Sequence, residues 1–113
     1  MWAAIRDVGN THKLFQGVVT QTKLEPGARV VTFTNGMEVR ELIVDIDDNT
    51  RRFVYSAVGG NASHHNASFQ VFEDGSASRV VWVTDILPDE VVAGVRPLIE
   101  LGSAAMKKAL EQG

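Results

Sequence analysis

The chain has 113 residues, of which 44% are hydrophobic and 22% are charged, with a formal net charge of −3. This size favours a single domain over residues 1–113, and the composition excludes a disordered or membrane-embedded chain. The acidic balance and the scattered basic residues argue against a nucleic-acid partner, and the absence of cysteine excludes disulfides and thiolate chemistry.

The N-terminal residues predict two short helices, at 2–7 and 11–15, with a break at Gly9 and a suitable N-cap at Asn10. Neither piece is long enough to be stable alone, so both are expected to dock on another element. The N-terminus lacks the basic region and apolar run of a signal peptide, and no apolar run is long enough to span a membrane. We therefore expect a cytoplasmic protein.

Turn signals divide the middle of the chain into strands. They are Pro26-Gly27, Asn35-Gly36, residues 47–49, residues 59–61 and Asp74-Gly75. Pro26-Gly27 suits a type II turn, and Asn35-Gly36 suits a two-residue type I′ hairpin. The predicted strands are 17–25, 28–34, 37–46, 51–58, 63–73 and 77–85, and their short connections predict an antiparallel meander.

The third strand has two possible faces. Val39, Glu41 and Ile43 share one face, and the other, more apolar face has Leu42, Val44 and Ile46. Simple alternation would therefore turn Glu41 outward. A β-bulge near residues 43–45 would let both Glu41 and Ile46 face inward.

The last segment predicts one long helix over residues 89–112, with Gly113 placed to end it. Apolar or small residues at helical spacing form a wide stripe that the helix must bury. The stripe runs unbroken through Pro97, which predicts a kink or a loosened turn rather than two helices.

Several short motifs lie in these elements: Trp2, Ile5, Asp7, Gly9 and Asn10; Pro26-Gly27 followed by Arg29; Glu41; Asp47; Tyr55; and Trp82. In order and spacing they resemble the polyketide cyclase/dehydrase-like branch of the SRPBCC superfamily, which includes START domains and birch-pollen-allergen-like proteins. The resemblance covers essentially the whole chain. It implies an α+β helix-grip fold, in which an antiparallel sheet of about six strands wraps around a long C-terminal helix. It does not specify an activity.

The resemblance also implies a strand before the first helix, which in the family pairs with the second and the last strands. No such strand precedes Trp2 here, so we expect a six-stranded sheet with two bare edges. Bare edges invite pairing with another chain. Either the natural protein is longer, or a partner completes the sheet, most simply in a symmetric homodimer.

Glu41 is the candidate for a catalytic or anchoring group. It matches the strand glutamate that points into the cavity in some relatives, and a buried carboxyl group of raised pKa can act as an acid, a base or an anchor. The alternative is a surface Glu41 paired with Arg29 or Arg40 on a neighbouring strand.

The other candidates are aromatic residues, small residues on the helix, and the polar start of the fifth strand. One of His64 and His65, with Asn66, is placed at the cavity mouth, or else all three form a solvated strand end. Adjacent strand residues face opposite ways, so the two histidines cannot easily share a metal, and we predict neither a metal nor a cofactor. The predicted ligand-binding residues are Phe15, Glu41, Tyr55, His64, Asn66, Phe69, Trp82, Leu98, Gly102, Ala105 and Met106.

Three functions are compatible with this pattern. The first is binding of a small hydrophobic ligand of lipid, polyketide or aromatic type between helix and sheet. The second is a cyclase- or dehydratase-like enzyme that uses Glu41 or a histidine as its acid or base. The third is an interaction protein with a collapsed cavity, acting through its sheet edges.

Overall fold

A computed structural model describes residues 1–59, 62–75 and 77–112. Over these residues, three helices and six strands follow one another in the predicted order, with 3-10 turns at Val8–Asn10 and Asp89–Val91. The elements are α1 (Trp2–Arg6), α2 (Thr11–Leu14), β1 (Val19–Glu25), β2 (Ala28–Phe33), β3 (Glu38–Asp47), β4 (Arg52–Val58), β5 (His64–Asp74), β6 (Ala77–Leu87) and α3 (Val92–Gln112). The helix-grip prediction is confirmed.

The six described strands form one antiparallel sheet in the order β1-β2-β3-β4-β5-β6. Each strand pairs with the one before it because the connections are short. Among the described strands, β1 and β6 have a neighbour on one side only, so the two bare edges are where the sequence predicts them.

The turns fit the predictions in part. Gly27 has a φ of +70°, as the type II prediction at Pro26-Gly27 requires. The type I′ prediction at Asn35-Gly36 was wrong, because Arg51 is the only described non-glycine residue with positive φ. The turn hydrogen bond instead runs from Gly36 N to Phe33 O (2.9 Å), and Gly36 follows the turn at φ +87°. Gly60 and Asn61, in the predicted turn at 59–61, lie outside the described residues.

A β-bulge in β3 resolves the conflict between the two strand faces. Ile43 pairs with Tyr55 and Asp45 pairs with Val54, so Val44 is the extra residue, and it is 58% exposed. Ile43 before the bulge packs against the core, and so does Ile46 after it. The predicted bulge is confirmed, and it allows Glu41 and Ile46 to face inward together.

The N-terminal helices dock on the rest of the fold, as their short lengths require. Ile5 is buried in the core, and the Trp2 indole donates a hydrogen bond from Nε1 to Asp48 Oδ1 (2.9 Å). Asn10 precedes α2 as predicted, but its side chain does not cap the helix. Its Nδ2 donates to Asp7 Oδ2 (2.8 Å) instead.

Helix α3 is continuous through Pro97, as one helix rather than two. Its predicted apolar stripe is buried or half-buried, whereas Leu101 on the opposite face is exposed. Gly113, predicted to end the helix, lies outside the described residues. No helix in the described part of the chain has both the length and the apolar character needed to cross a membrane.

The core lies between α3, the N-terminal helices and the concave face of the sheet. Its buried hydrophobic residues are Ile5, Leu14, Phe15, Val19, Val31, Phe53, Tyr55, Ala67, Phe69, Val71 and Met106. The same face of the sheet continues beyond this core and forms the wall of a cavity.

Candidate functional site

A cavity of about 500 Å³ lies between the concave face of the sheet, the region of α2 and the N-terminal half of α3. Most of its lining side chains are apolar. They are Phe15, Val18, Val19, Val31, Phe33, Met37, Val39, Ala57, Ala62, Trp82, Val91, Val95, Leu98 and Ile99, with Tyr55 and Phe69. The polar lining residues are Thr11, Arg29, Glu41, His65 and Glu90.

The Arg29–Glu41 ion pair is the most deeply buried polar feature of the wall. The two residues lie opposite each other on β2 and β3, and they are 3% and 8% exposed. Arg29 Nε donates to Glu41 Oε1 at 2.8 Å. Both members of a buried ion pair lose hydration, so the pair persists only if further groups satisfy its remaining donors and acceptors.

Arg29 has several such partners. Its Nη1 donates to Thr11 Oγ1 and to Val8 O (3.4 Å), which ties the N-terminal helices to the sheet. Its guanidinium carbon lies 5.0 Å from the ring centroid of Phe53 and 5.3 Å from that of Tyr55. These cation–π contacts are strong when the cation is desolvated, so Arg29 forms a fixed part of the wall.

Burial sets the protonation of the groups around this pair. Burial raises the pKa of Glu41 above its usual 4.5, against the opposing effect of the Arg29 charge and hydrogen bond. Burial, and secondarily the negative charge of Glu41, raises the pKa of Tyr55 far above its usual 10. The Tyr55 hydroxyl therefore stays protonated and can donate a hydrogen bond.

An aromatic wall adjoins the polar pair. Phe69 and Trp82 stack with ring centroids 4.9 Å apart, and Phe15 lies 5.6 Å from Trp82. Trp82 Nε1 is buried and makes no hydrogen bond within the described residues, although it lies close enough to Tyr55 to affect the pKa of that hydroxyl.

Gly102 closes one end of the cavity. A Cβ at this position would lie 3.3 Å from two atoms of the Trp82 ring and 3.4 Å from Phe15. The helix therefore approaches the sheet closely here, while the cavity remains open along the preceding turns of α3. Along α3 the structure therefore has both a concavity and a close approach of the helix to the sheet.

His65 and Glu90 lie on the cavity wall together with Gly59, Ala62 and Gly94. Burial, and then the neighbouring His64, lowers the pKa of His65 below its usual 6.5. His65 is therefore neutral at neutral pH, and its ring can both donate and accept a hydrogen bond.

Seven of the predicted ligand-binding residues meet around this cavity: Phe15, Glu41, Tyr55, Phe69, Trp82, Leu98 and Gly102. The other four, His64, Asn66, Ala105 and Met106, do not line it. Side chains alternate along β5, so His64 and Asn66 share the face opposite to Phe69. Ala105 and Met106 lie past Gly102, where Met106 is buried in the core.

The sequence predicts Arg29 only as a surface partner of Glu41, and it leaves open which of His64 and His65 lies at the cavity mouth. The structure has Arg29 and His65 in the cavity lining. His65, rather than His64, has the same strand parity as Phe69 on β5. The wrong turn type obscured Arg29: a two-residue loop at Asn35-Gly36 would pair Arg29 with Leu42. The longer loop shifts the register by one residue and places Arg29 opposite Glu41.

A second concavity, of about 670 Å³, lies on the far side of α3 beside β6. We call it the outer groove. Its lining is His64, Thr84, Asp85, Ile86, Leu87, Val92, Val95, Arg96, Ile99 and Glu100. Val95 and Ile99 line both the cavity and the outer groove.

Within the described residues, no group of three or more His, Asp or Glu side chains is arranged to hold a metal ion. His12, half-buried in α2, bonds instead to the Thr22 hydroxyl on β1, with 3.1 Å between Nδ1 and Oγ1.

A family model described as polyketide cyclase / dehydrase and lipid transport matches residues 1–113. A comparison with proteins of curated function finds no match. The fold is similar to that of an uncharacterized protein from Bacillus thuringiensis, with a TM-score of 0.83 and 19% identity, over 96% of this chain and 86% of that one.

Two plant proteins also have a similar fold. Norcoclaurine synthase from Thalictrum flavum, solved in complex with dopamine and hydroxybenzaldehyde, gives a TM-score of 0.70 at 22% identity, over 98% of this chain and 75% of that one. Major latex-like protein 151 from Panax ginseng gives a TM-score of 0.69 at 14% identity, over 88% of this chain and 79% of that one. At these identities the likeness shows the fold alone.

Proposed function

Because this chain belongs to the polyketide cyclase/dehydrase and lipid transport family, we propose that it binds a small, largely apolar molecule in the cavity between α3 and the sheet. The observation that carries the proposal is the cavity of about 500 Å³ with its mostly apolar lining. Small-molecule sites are typically apolar cavities of about 300–1,000 Å³ with a few polar groups that orient the ligand.

A second candidate is a cyclase- or dehydratase-like enzyme. Two features favour it: burial raises the pKa of Glu41, and His65 faces the same cavity. Glu41, however, is hydrogen-bonded to Arg29 rather than to a histidine or tyrosine, and a carboxyl group in an ion pair is a weaker base. Binding without chemistry is therefore the function that we put first.

We also propose that two copies of the chain pair through the bare edge of β6. This strand is eleven residues long and carries exposed apolar side chains at Val83 and Leu87. The edge of β1 is shorter and lies beside the N-terminal helices, so β6 is the edge with more room for a partner strand.

Fluorescence of the neutral, apolar probe N-phenyl-1-naphthylamine tests the binding proposal, because its emission rises in an apolar environment. We expect saturable binding to the wild-type protein and loss of binding in Ala57→Phe, which fills the cavity from the concave face of β4. Ser56→Phe is the matched control, since the adjacent side chain lies on the other face of the sheet.

Native mass spectrometry of the protein purified under mild conditions complements this titration, because a co-purifying molecule adds its mass to the chain. Equal binding by Ala57→Phe and the wild type would place the probe elsewhere on the protein. Absence of binding by the wild type would contradict the proposed function.

A further inference from the structure

Four residues of the cavity wall lie in one row across the sheet. Arg29 pairs with Glu41, and Glu41 pairs with Ala57. The β4–β5 register ends at Ser56 opposite Asn66, so extending it by one pair places His65 opposite Ala57. All four residues line the cavity, so their side chains point to the same side of the sheet.

Ala57, the smallest side chain of this row, separates Glu41 from His65. Neighbouring strands are spaced by about 4.8 Å, so the backbones of Glu41 and His65 lie roughly 10 Å apart. The Glu41 carboxyl group is held on the β2 side of Ala57 by its hydrogen bond to Arg29, and the His65 side chain is long enough to lean over Ala57 from β5. The row therefore leaves a gap flanked by a carboxyl group and an imidazole.

The hydrogen bonds of these two side chains leave capacity for a ligand. One carboxylate oxygen of Glu41 accepts from Arg29 Nε, and within the described residues the other oxygen has no hydrogen-bond donor. The described residues make no hydrogen bond to the His65 ring either. A group in the gap can therefore donate to Glu41 and accept from His65 at the same time.

The charge of the wall favours a neutral group in that gap. Glu41 already has its counter-ion in Arg29, so an incoming carboxylate or ammonium would be buried beside a compensated pair without a partner of its own. The other carboxylate of the lining, Glu90, opposes an anion further. A hydroxyl group is neutral and both donates and accepts through one oxygen atom.

We propose that the cavity selects apolar molecules that carry a hydroxyl group, and that this hydroxyl binds above Ala57 between Glu41 and His65. The inference rests on the proposed binding function and names its ligand class. The aromatic wall of Phe15, Phe69 and Trp82 continues from this point and takes the apolar body of the ligand.

Four pyrene derivatives with one skeleton test the proposal. 1-Pyrenemethanol carries the hydroxyl, 1-methylpyrene lacks a polar group, 1-pyrenemethylamine is a cation, and 1-pyrenecarboxylate is an anion. We expect 1-pyrenemethanol to bind about tenfold tighter than 1-methylpyrene, a ratio typical of one or two hydrogen bonds gained in a desolvated site. The two charged derivatives are expected to bind more weakly than the alcohol.

His65→Phe removes one of the two proposed hydrogen bonds and should reduce the preference for the alcohol over 1-methylpyrene from about tenfold to about threefold, while 1-methylpyrene still binds. His64→Phe changes the neighbouring histidine, which lies outside the cavity, and should leave the preference unchanged.

Equal affinity of the wild type for 1-pyrenemethanol and 1-methylpyrene would overturn the hydroxyl site and leave the binding function intact. A preference that His65→Phe leaves undiminished, or tighter binding of the amine or the acid, would also overturn the hydroxyl site. Failure of all four compounds to bind would overturn the binding function, and the hydroxyl site with it.

Discussion

Arg29 and Glu41 are a pair of charges at a depth where the rest of the wall is apolar. A carboxylate stranded there can take up a proton and become neutral, but a guanidinium cannot lose its proton in a protein. Removing Glu41 and removing Arg29 therefore have unequal effects on the stability of the fold. The asymmetry makes the pair testable by stability measurements alone.

Glu41→Leu should destabilise the fold by about 3–5 kcal/mol, because it leaves a buried, permanently charged Arg29. Adding Arg29→Met to Glu41→Leu should recover part of that loss, since it removes the stranded charge. Urea unfolding of the wild type, both single variants and the double variant measures the coupling. If the two substitutions were additive, the pair would not be energetically coupled as the geometry implies. A double variant less stable than Glu41→Leu would show that the other contacts of Arg29 outweigh the cost of its stranded charge.

The raised pKa of Glu41 predicts a pH dependence of stability. Above pH 4.5 and up to the raised pKa, the folded state holds this proton more often than the unfolded state does. Stability contributed by the protonated group is therefore present below pH 4.5 and is lost as pH rises through the folded-state pKa. We expect the wild type to lose stability relative to Glu41→Gln across this window, in urea unfolding between pH 4 and pH 8. A relative gain with rising pH would mean that the attraction of Arg29 outweighs burial.

At the scale of single elements, the sequence predicts the bounds of the strands more readily than the register in which neighbouring strands pair. Turn residues mark where strands end, so every strand bound lies within two residues of its prediction. Register depends on the number of residues in each loop, and Asn35-Gly36 is compatible with loops of different length. That single ambiguity decides whether Arg29 faces Glu41, so residue types alone leave the Arg29–Glu41 pair as one alternative and do not predict its burial.

The bulge in β3 predicts which deletions the strand tolerates. Val44 is the extra residue between two regular stretches, so its deletion leaves Glu41, Ile43 and Ile46 in simple alternation. We expect the deletion of Val44 to fold with a reduced Tm. Deletion of Ser68, in a regular stretch of β5 that pairs on both sides, puts one end of that strand on the wrong face and should prevent folding. Circular dichroism during heating compares the two proteins, and equal damage from both deletions would contradict this assignment.

Two glycines in α3 allow the same substitution in different surroundings. Gly94→Ala adds a methyl group where nothing lies within 4 Å, so it should stabilise the protein by about 0.5 kcal/mol through helix propensity. Gly102→Ala gains the same propensity but presses on the Trp82 ring at 3.3 Å. We expect it to be the less stable of the two variants in urea unfolding. A larger gain at Gly102 would show that Trp82 moves aside without cost.

At the scale of the molecule, the family resemblance predicts a cavity between helix and sheet, but the sequence does not determine where along α3 that cavity lies. Periodicity predicts the stripe of α3, and the small residues in that stripe are compatible with either a void or a close approach of helix and sheet. The molecule has both: Gly102 touches Trp82, and the void begins in the turns before it. Where a helix rests on a curved sheet depends on all of its contacts at once, so Ala105 and Met106 were placed on the cavity wall although Met106 packs in the core.

The bare edges of the sheet predict that two copies of the chain pair with each other. A symmetric β6–β6 pair would place Val83 of each copy near the two-fold axis, because it lies close to the middle of the strand. Val83 is 47% exposed in the single chain, so Val83→Lys should leave the fold intact but bring two like charges together in the dimer.

Leu24→Lys is the control on the other edge, where Leu24 is 58% exposed on β1 and the lysine stem can retain the contact with Gly9. Sedimentation velocity at micromolar concentration should give a dimer for the wild type and Leu24→Lys, and a monomer for Val83→Lys. Dissociation by Leu24→Lys alone would assign the interface to β1. A wild-type monomer would contradict pairing through either edge.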